Sequence, residues 1–349
     1  MIKLSLSKMM KRYSSIILVL LIILLSSIEV RADESNLNFY VTPELPESQV
    51  SKENNYFDLN LNPGNTEKLI LELQNTNSEQ IRVKITPHTA YTNVHGVVEY
   101  GKDAKDKDPT LTHVIEDLID PVEEIILEGN ETKKIELVLH MPNEKFQGLL
   151  AGGLRISEVK DEKEVDNKSE EGVAIRNEFS YVIGVVVSNS RDSIKPELEL
   201  IDVYPDQLNY RNVISASIQN IMPAFVNRLS VEATVQKSGE SEILYEASEE
   251  QMQMAPNSNF SFPISLEGDK FQSGDYVLKL KATSGDEEWE WERNFSISPE
   301  DARTFNRKDV TIDDTINWLM IVLICLVMFL IGIILYLTIK QKQRKKSKS

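Results

Sequence analysis

Residues 275–297 read DYVLKLKATSGDEEWEWERNFSI. Two runs, Asp275–Ala282 and Glu288–Ile297, alternate apolar and polar side chains on either side of Gly285. A period of two is the signature of a half-buried β-strand, and the glycine marks the turn between them. Trp289 and Trp291 are two residues apart, so both face one side of their strand, while Glu288, Glu290 and Glu292 face the other. The tryptophans read either as core or edge packing or as a ligand platform.

The same pattern extends outward from this stretch. Glu197–Val203, Val213–Gln219, Leu229–Gln236, Ile243–Glu246 and Phe260–Leu266 are further short strands, with Gly239, Gly268 and Gly274 at turns. Seven strands in about a hundred residues is the count of an immunoglobulin-like sandwich. Upstream, Tyr56–Leu61, Lys68–Gln74, Arg82–Thr86, Val97–Tyr100, Glu123–Leu127, Lys133–His140 and Val182–Val187 form a second series, bounded by turns such as Asn62-Pro63-Gly64 and Met141-Pro142-Asn143. His113–Ile119 is the one short helical candidate in the body. The expected fold is all-β, two immunoglobulin-like β-sandwich domains in series. The segment 158–171 holds ten charged residues of fourteen and reads as a solvated loop or as the interdomain linker. The loop reading is favoured, because Phe179–Val187 needs a sheet and the first domain supplies one. The chain then divides into a first sandwich at 33–190, a second at 191–298 and a polar stalk at 299–315.

Both ends are apolar. Lys3, Lys8, Lys11 and Arg12 precede the run Ile16–Leu25, and Val30 and Ala32 stand where a signal peptidase would cut before Asp33, so 1–32 reads as a signal peptide. An uncleaved signal anchor is the alternative, disfavoured because the run is short for a bilayer. Ile316–Ile339 carries no charge over 24 residues and is long enough to span a membrane as one C-terminal transmembrane helix. Trp318 and Tyr336 sit near its two interfaces, and Lys340, Lys342 and Arg344 begin a basic tail at 340–349 that belongs on the cytoplasmic side. These features predict a single-pass protein at the cell membrane with its N-terminal body outside.

Setting aside the eleven basic residues of the two ends and Glu29 leaves 27 basic against 54 acidic residues, a net charge of about −27 for the body. Such a body repels phosphate and makes nucleic acid an unsuitable partner. The single cysteine, Cys325, lies in the C-terminal apolar run, so the body has no disulfide framework. An exported body without cysteine is more typical of Gram-positive bacteria than of animal secretion. His88, His95, His113 and His140 lack metal-ligand spacing, Gly152-Gly153 is no phosphate loop, and Asp103, Asp106 and Asp108 lack the glycine and closing glutamate of a calcium loop. No catalytic residue, metal ligand or cofactor is expected, and binding is the function class that remains.

Three stretches carry a resemblance. The first runs from Phe39-Tyr40-Val41-Thr42-Pro43 through Leu45–Gln49 to Tyr56–Leu59 and Pro63-Gly64. The second is Thr92-Asn93, Gly96 and Tyr100 with Gly152-Gly153-Leu154. The third is Gln251–Phe260 with Gly274-Asp275-Tyr276 downstream. In these, and in its signal peptide, terminal helix and basic tail, the chain resembles the WxL-interacting proteins of Gram-positive bacteria. The resemblance implies a peptidoglycan-binding first domain, a host-protein-binding second domain and a WxL-domain surface protein as partner. Within the chain itself, Tyr91, Asn93 and Tyr100 are candidates to stack on or hydrogen-bond a sugar or peptide, the other reading being hairpin structure around Gly96. Met252, Met254 and Phe260 are candidates for an adaptable apolar partner contact, with Trp289 and Trp291, the other reading being core packing. The leading expectation is a non-enzymatic adhesion or scaffold protein. A membrane-tethered sensor or receptor is the alternative, and a cell-wall enzyme with an unrecognised site the remote one.

Overall fold

Seventeen strands and two short helices are found in the body among the described residues. The structure, a computed structural model, describes residues 38–159, 179–312, 323, 326–329 and 331–333. The expected signal peptide, most of the 158–171 segment, and Trp318, Tyr336, Lys340, Lys342 and Arg344 lie outside the described residues.

The first sandwich stacks two sheets. One is three-stranded, in the order β1 (Phe39–Glu44), β3 (Thr66–Asn75), β8 (Thr132–His140). The other is five-stranded, in the order β2 (Phe57–Asn60), β10 (Ser180–Ser188), β9 (Leu150–Glu158), β4 (Ile81–Thr89), β7 (Ile125–Leu127). All pairings are antiparallel except β2 with β10. Alternation puts Leu69, Leu71 and Leu73 of β3 and Leu137 and Leu139 of β8 on one inner face. Phe57, Val83, Leu127, Leu154, Ile156 and Val185 of the second sheet meet them in one apolar cluster. Each such side chain stabilises the fold by about 1.5–3 kcal/mol. The helix α1 (Ile115–Leu118) buries Ile115 and Leu118 against this core, and the hairpin of β5 (Tyr91–Thr92) and β6 (Val98–Glu99) stands at one end.

The second sandwich packs β11 (Leu198–Leu208), β12 (Arg211–Asn220) and β15 (Ser258–Ser265) against β14 (Ile243–Met254), β13 (Val226–Lys237), β16 (Gly274–Ser284) and β17 (Glu287–Ile297). The stretch at 275–297 is the hairpin β16–β17, with Leu280 opposite Trp291 and Ala282 opposite Trp289. Gly285 turns it at φ +63°, a conformation that suits glycine. Arg293 closes the rim by donating to the carbonyls of Leu200 (2.7 Å) and Ile201 (3.3 Å) on β11.

Residues 299–308 open the segment expected as a polar stalk. They form the helix α2 (Pro299–Lys308), capped by the Ser298 hydroxyl accepting from the Asp301 N–H at 3.0 Å. Pro299, Glu300 and Asp301 in its first turn and Arg307 and Lys308 in its last suit the helix dipole. Ala302 is buried on the second core, and the Phe305 ring lies 5.8 Å from that of Phe271. Just beyond, Asp309 accepts from the Asn212 N–H at 2.6 Å and from the Thr311 N–H at 2.7 Å, which pins the segment to the sandwich.

No helix among the described residues is long and apolar enough to cross a membrane. The expected span Ile316–Ile339 falls largely outside them. Its described members, 323, 326–329 and 331–333, are helical.

Candidate functional site

The hairpin at 91–100 is built by its sequence. Asn93 accepts from the His95 N–H (2.9 Å) and the Val97 N–H (3.2 Å) through Oδ1 and donates to Glu99 through Nδ2 (2.9 Å). Its side chain is thereby committed to the turn. Gly96 sits at φ +64° and is buried. A methyl group there would stand 2.5 Å from Met252, so only glycine lets the hairpin tip press onto the second sandwich. The Gly96 carbonyl also accepts from the Gln253 N–H at 2.7 Å.

The hairpin is thus the first sandwich's half of a domain junction. Thr92, 4% exposed, accepts from the Ala255 N–H at 3.0 Å and lies 2.7 Å from the Ser258 hydroxyl. Ser258 spends its proton on the Ala255 carbonyl (2.8 Å), so the Thr92 hydroxyl donates to Ser258. Ala90, Val98, Ala151, Val186 and Ala255 form a small apolar cluster between the domains, flanked by Tyr56, Tyr100, Leu149 and Phe225. Gly148, at φ +72°, would place a methyl group 2.2 Å from the Pro223 carbonyl, and that carbonyl accepts from the Leu149 N–H at 2.8 Å.

One side of the junction is closed by Asp108. This carboxylate is 7% exposed. It accepts from Gln219 Nε2 at 2.9 and 3.0 Å and from Asn259 Nδ2 at 2.5 Å, both on the second sandwich, and from the Thr110 N–H and hydroxyl on its own loop. Asn257, at φ +48°, adds a bond to Thr110 Oγ1 at 3.1 Å. A cleft of 410 Å³ adjoins this knot, lined by Tyr91, Lys107, Glu116 and Asn259 among others. Glu116 is already engaged there by the Thr89 hydroxyl and by Lys107 at 3.7 Å.

The other side is open. A cleft of 560 Å³ is framed by Tyr56 and Tyr100 from the first sandwich, Phe225 from the second, and the side-chain amides of Asn55, Asn227 and Gln253. Its wall on β10 is made by Val182, Ile183, Gly184 and Val186, and Gly184 stands opposite Gly153 of β9 in the sheet. A methyl group on Gly153 would lie 2.6 Å from the Tyr100 carbonyl, and one on Gly184 would lie 3.4 Å from Tyr56 Cβ. The bare backbone of Gly153 makes room for Tyr100, whereas Gly184 stands at ordinary contact distance from Tyr56. Burial pushes the Tyr100 phenol above its ordinary pKa, with the neighbouring Tyr56 hydroxyl adding to the rise. The Tyr56 phenol is pushed up by burial and by Asp58, against the opposing pull of Arg191.

The structure separates the residues singled out from the sequence. Tyr91 and Tyr100 line different clefts. Met252, Met254 and Phe260 are no exposed partner surface. They are 5%, 0% and 3% exposed, because alternation turns Met252 and Met254 on β14 and Phe260 on β15 toward the second core. Trp289 and Trp291 share the inner face of β17 and pack, half-buried, against the same core; the Trp289 indole donates to Glu197 at 3.1 Å. Among the described residues no group of three or more His, Cys, Asp or Glu side chains is placed to hold a metal ion. His88 pairs with Asp103 at 2.7 Å. Sequence reasoning overlooked Asp108 on the closed side of the junction and Phe225, Asn227 and Gln253 on the open side. The available signal was that stretches carrying the family resemblance, around Tyr56, Thr92–Tyr100, Gly152-Gly153 and Gln251–Phe260, come together around this junction.

Two family models match the chain in order. The peptidoglycan binding domain of the WxL Interacting Protein matches residues 39–158 and its host binding domain matches residues 170–307. The chain belongs to the WxL-interacting protein family. Strand β10 falls within the second match by sequence, yet it is hydrogen-bonded between β2 and β9 in the first sandwich. No curated protein matches the sequence. Solved structures with a similar chain course include the class 5 fimbriae chaperone CfaA, at 14% identity over 75% of this chain and 100% of that one, TM-score 0.26. The E. coli chaperone DraB is similar at 13% identity over 74% and 98%, TM-score 0.27. A PapD-like domain of human CEP192 is similar at 12% identity over 45% and 87%, TM-score 0.27.

Proposed function

We propose that this protein is a non-enzymatic cell-surface adhesion and scaffold protein. It binds peptidoglycan through its first sandwich and, through its second, a WxL-domain surface protein and host extracellular proteins. The observation that carries this reading is the ordered pair of family matches on two separately cored sandwiches. We further propose that 1–32 is removed as a signal peptide and that Ile316–Ile339 anchors the chain in membrane lipid, with the acidic body outside and the basic tail in the cytoplasm. The exposed apolar side chains of the helical residues Leu323, Leu326, Val327, Met328, Phe329, Ile331 and Ile333 support that anchor.

The mechanism is multivalency. A tether holds both sandwiches at the membrane–wall boundary, and the docked junction fixes the span between their binding surfaces. Engagement of wall polymer by one raises the effective concentration of the partner for the other. The full chain, purified in mild detergent, is expected to sediment with purified peptidoglycan sacculi and to be retained by an immobilised WxL domain. Retention on neither overturns the reading.

A further inference from the structure

The open cleft of the junction has a lining unlike the rest of the surface. The body around it is strongly acidic, yet the residues framing the cleft are three aromatic rings, three side-chain amides and the β10 residues Val182, Ile183, Gly184 and Val186, with no ionised group among them. Its volume, 560 Å³, lies within the range of about 300–1,000 Å³ typical of small-ligand clefts, and such clefts favour domain interfaces. We propose that this cleft binds a neutral, N-acetylated sugar chain, gripped by both sandwiches together. The inference rests on the peptidoglycan reading above and deepens it, by assigning the contact to the glycan backbone and to a site that neither sandwich completes alone.

The chemistry of the lining selects this class. A pyranose ring presents a face of C–H bonds and an edge of hydroxyls. Half-buried Tyr56, Tyr100 and Phe225 offer apolar faces for the first, held in place by packing rather than by the ligand. The amides offer paired donors and acceptors for the second and for an acetamido group. Gln253 Nε2 donates to Asn227 Oδ1 at 3.0 Å, and that bond leaves Asn227 Nδ2 as a donor and Gln253 Oε1 as an acceptor. Anionic wall polymers are disfavoured, because no cation among the described residues lines the cleft and the surrounding field is negative. The raised Tyr100 phenol stays neutral and keeps its proton for donation.

The test uses the full chain in mild detergent, with N-acetylglucosamine tetramer as soluble probe and sacculi stripped of anionic polymers as the polymeric one. Wild type is expected to bind both. Phe225→Ala is expected to weaken tetramer binding about tenfold, the factor for roughly 1.4 kcal/mol of lost contact. Asn227→Ala, at an exposed position, is expected to weaken it about threefold with an unchanged unfolding midpoint, which keeps the test sound if Phe225→Ala loosens the junction. Unaltered tetramer affinity in both variants overturns the inference, as does a wild type that sediments with sacculi but binds only free stem peptide. Neither result touches the peptidoglycan reading. That reading fails instead if wild type ignores sacculi, whatever the tetramer does.

Discussion

The two sides of the domain junction solve the same packing problem with opposite chemistry. On one side a single carboxylate, Asp108, collects donors from Gln219, Asn259 and Thr110 and closes the gap. On the other, Tyr56 and Tyr100 of the first sandwich and Phe225 of the second line a cleft that stays open. A buried carboxylate is costly unless each lone pair is met, so its side admits one relative placement of the sandwiches. Aromatic faces impose no such stoichiometry and leave room for a third party. The closed side acts as a lock that sets the spacing of the open side.

Three substitutions test that division. The largest effect is expected at the hairpin tip, which both sides share. Gly96→Val forces a β-branched residue into φ +64° and drives its side chain into Met252. A loss of about 3 kcal/mol is expected, read as a lower urea midpoint, with the two sandwiches swinging apart in small-angle scattering. An unchanged radius of gyration would mean that the hairpin does not hold the junction. Asp108→Ala comes next. It leaves the Gln219 and Asn259 amides without their acceptor, for about 2 kcal/mol, and should also loosen the tetramer cleft on the far side. Full retention of sugar binding would show that the two sides are independent.

The smallest effect is expected at Asp309, a second buried carboxylate that serves as a contrast. Burial alone raises its pKa, but hydrogen bonds from the Thr311 side chain and from the backbone N–H groups of Asn212, Thr311 and Ile312 outweigh it and hold the group below the ordinary value of 3.8. A carboxyl depressed in the folded state contributes stability above its unfolded pKa and loses it as pH falls through the folded one. Docking of α2 should therefore persist through mild acid and weaken only below pH 3.8, and Asp309→Asn should remove that acid transition while leaving the junction intact. Hydrogen exchange at Ala302 and Phe305 reads it directly. Loss of protection already at pH 5 would show that some other group governs α2.

Much of the fold was legible where side chains alternate. Asp275–Ala282 and Glu288–Ile297 declare their strands, their turn and their faces, and the tryptophans lie on the inner face as alternation requires. Leu150–Glu158 was missed because Gly152-Gly153 interrupts the pattern, and glycine is a poor strand former. The reason for the interruption is tertiary: Gly152 clears Ile115 and the His88 carbonyl on one face, while Gly153 clears Tyr100 on the other. Residues 299–315 read as stalk because they are polar, although Ser298-Pro299-Glu300-Asp301 is a helix start.

The sequence by itself determined the acidic body, the class of fold and the family, because composition, period and local motifs are properties of neighbouring residues. Tertiary structure decided the site. Tyr56, Tyr100, Phe225 and Gln253 are separated by up to 197 positions, and nothing local says that they share a cleft. They meet because Gly96 lets a hairpin reach Met252 and Asp108 finds its donors across the junction. Burial and hydrogen-bond satisfaction between distant segments are settled only when the two sandwiches dock.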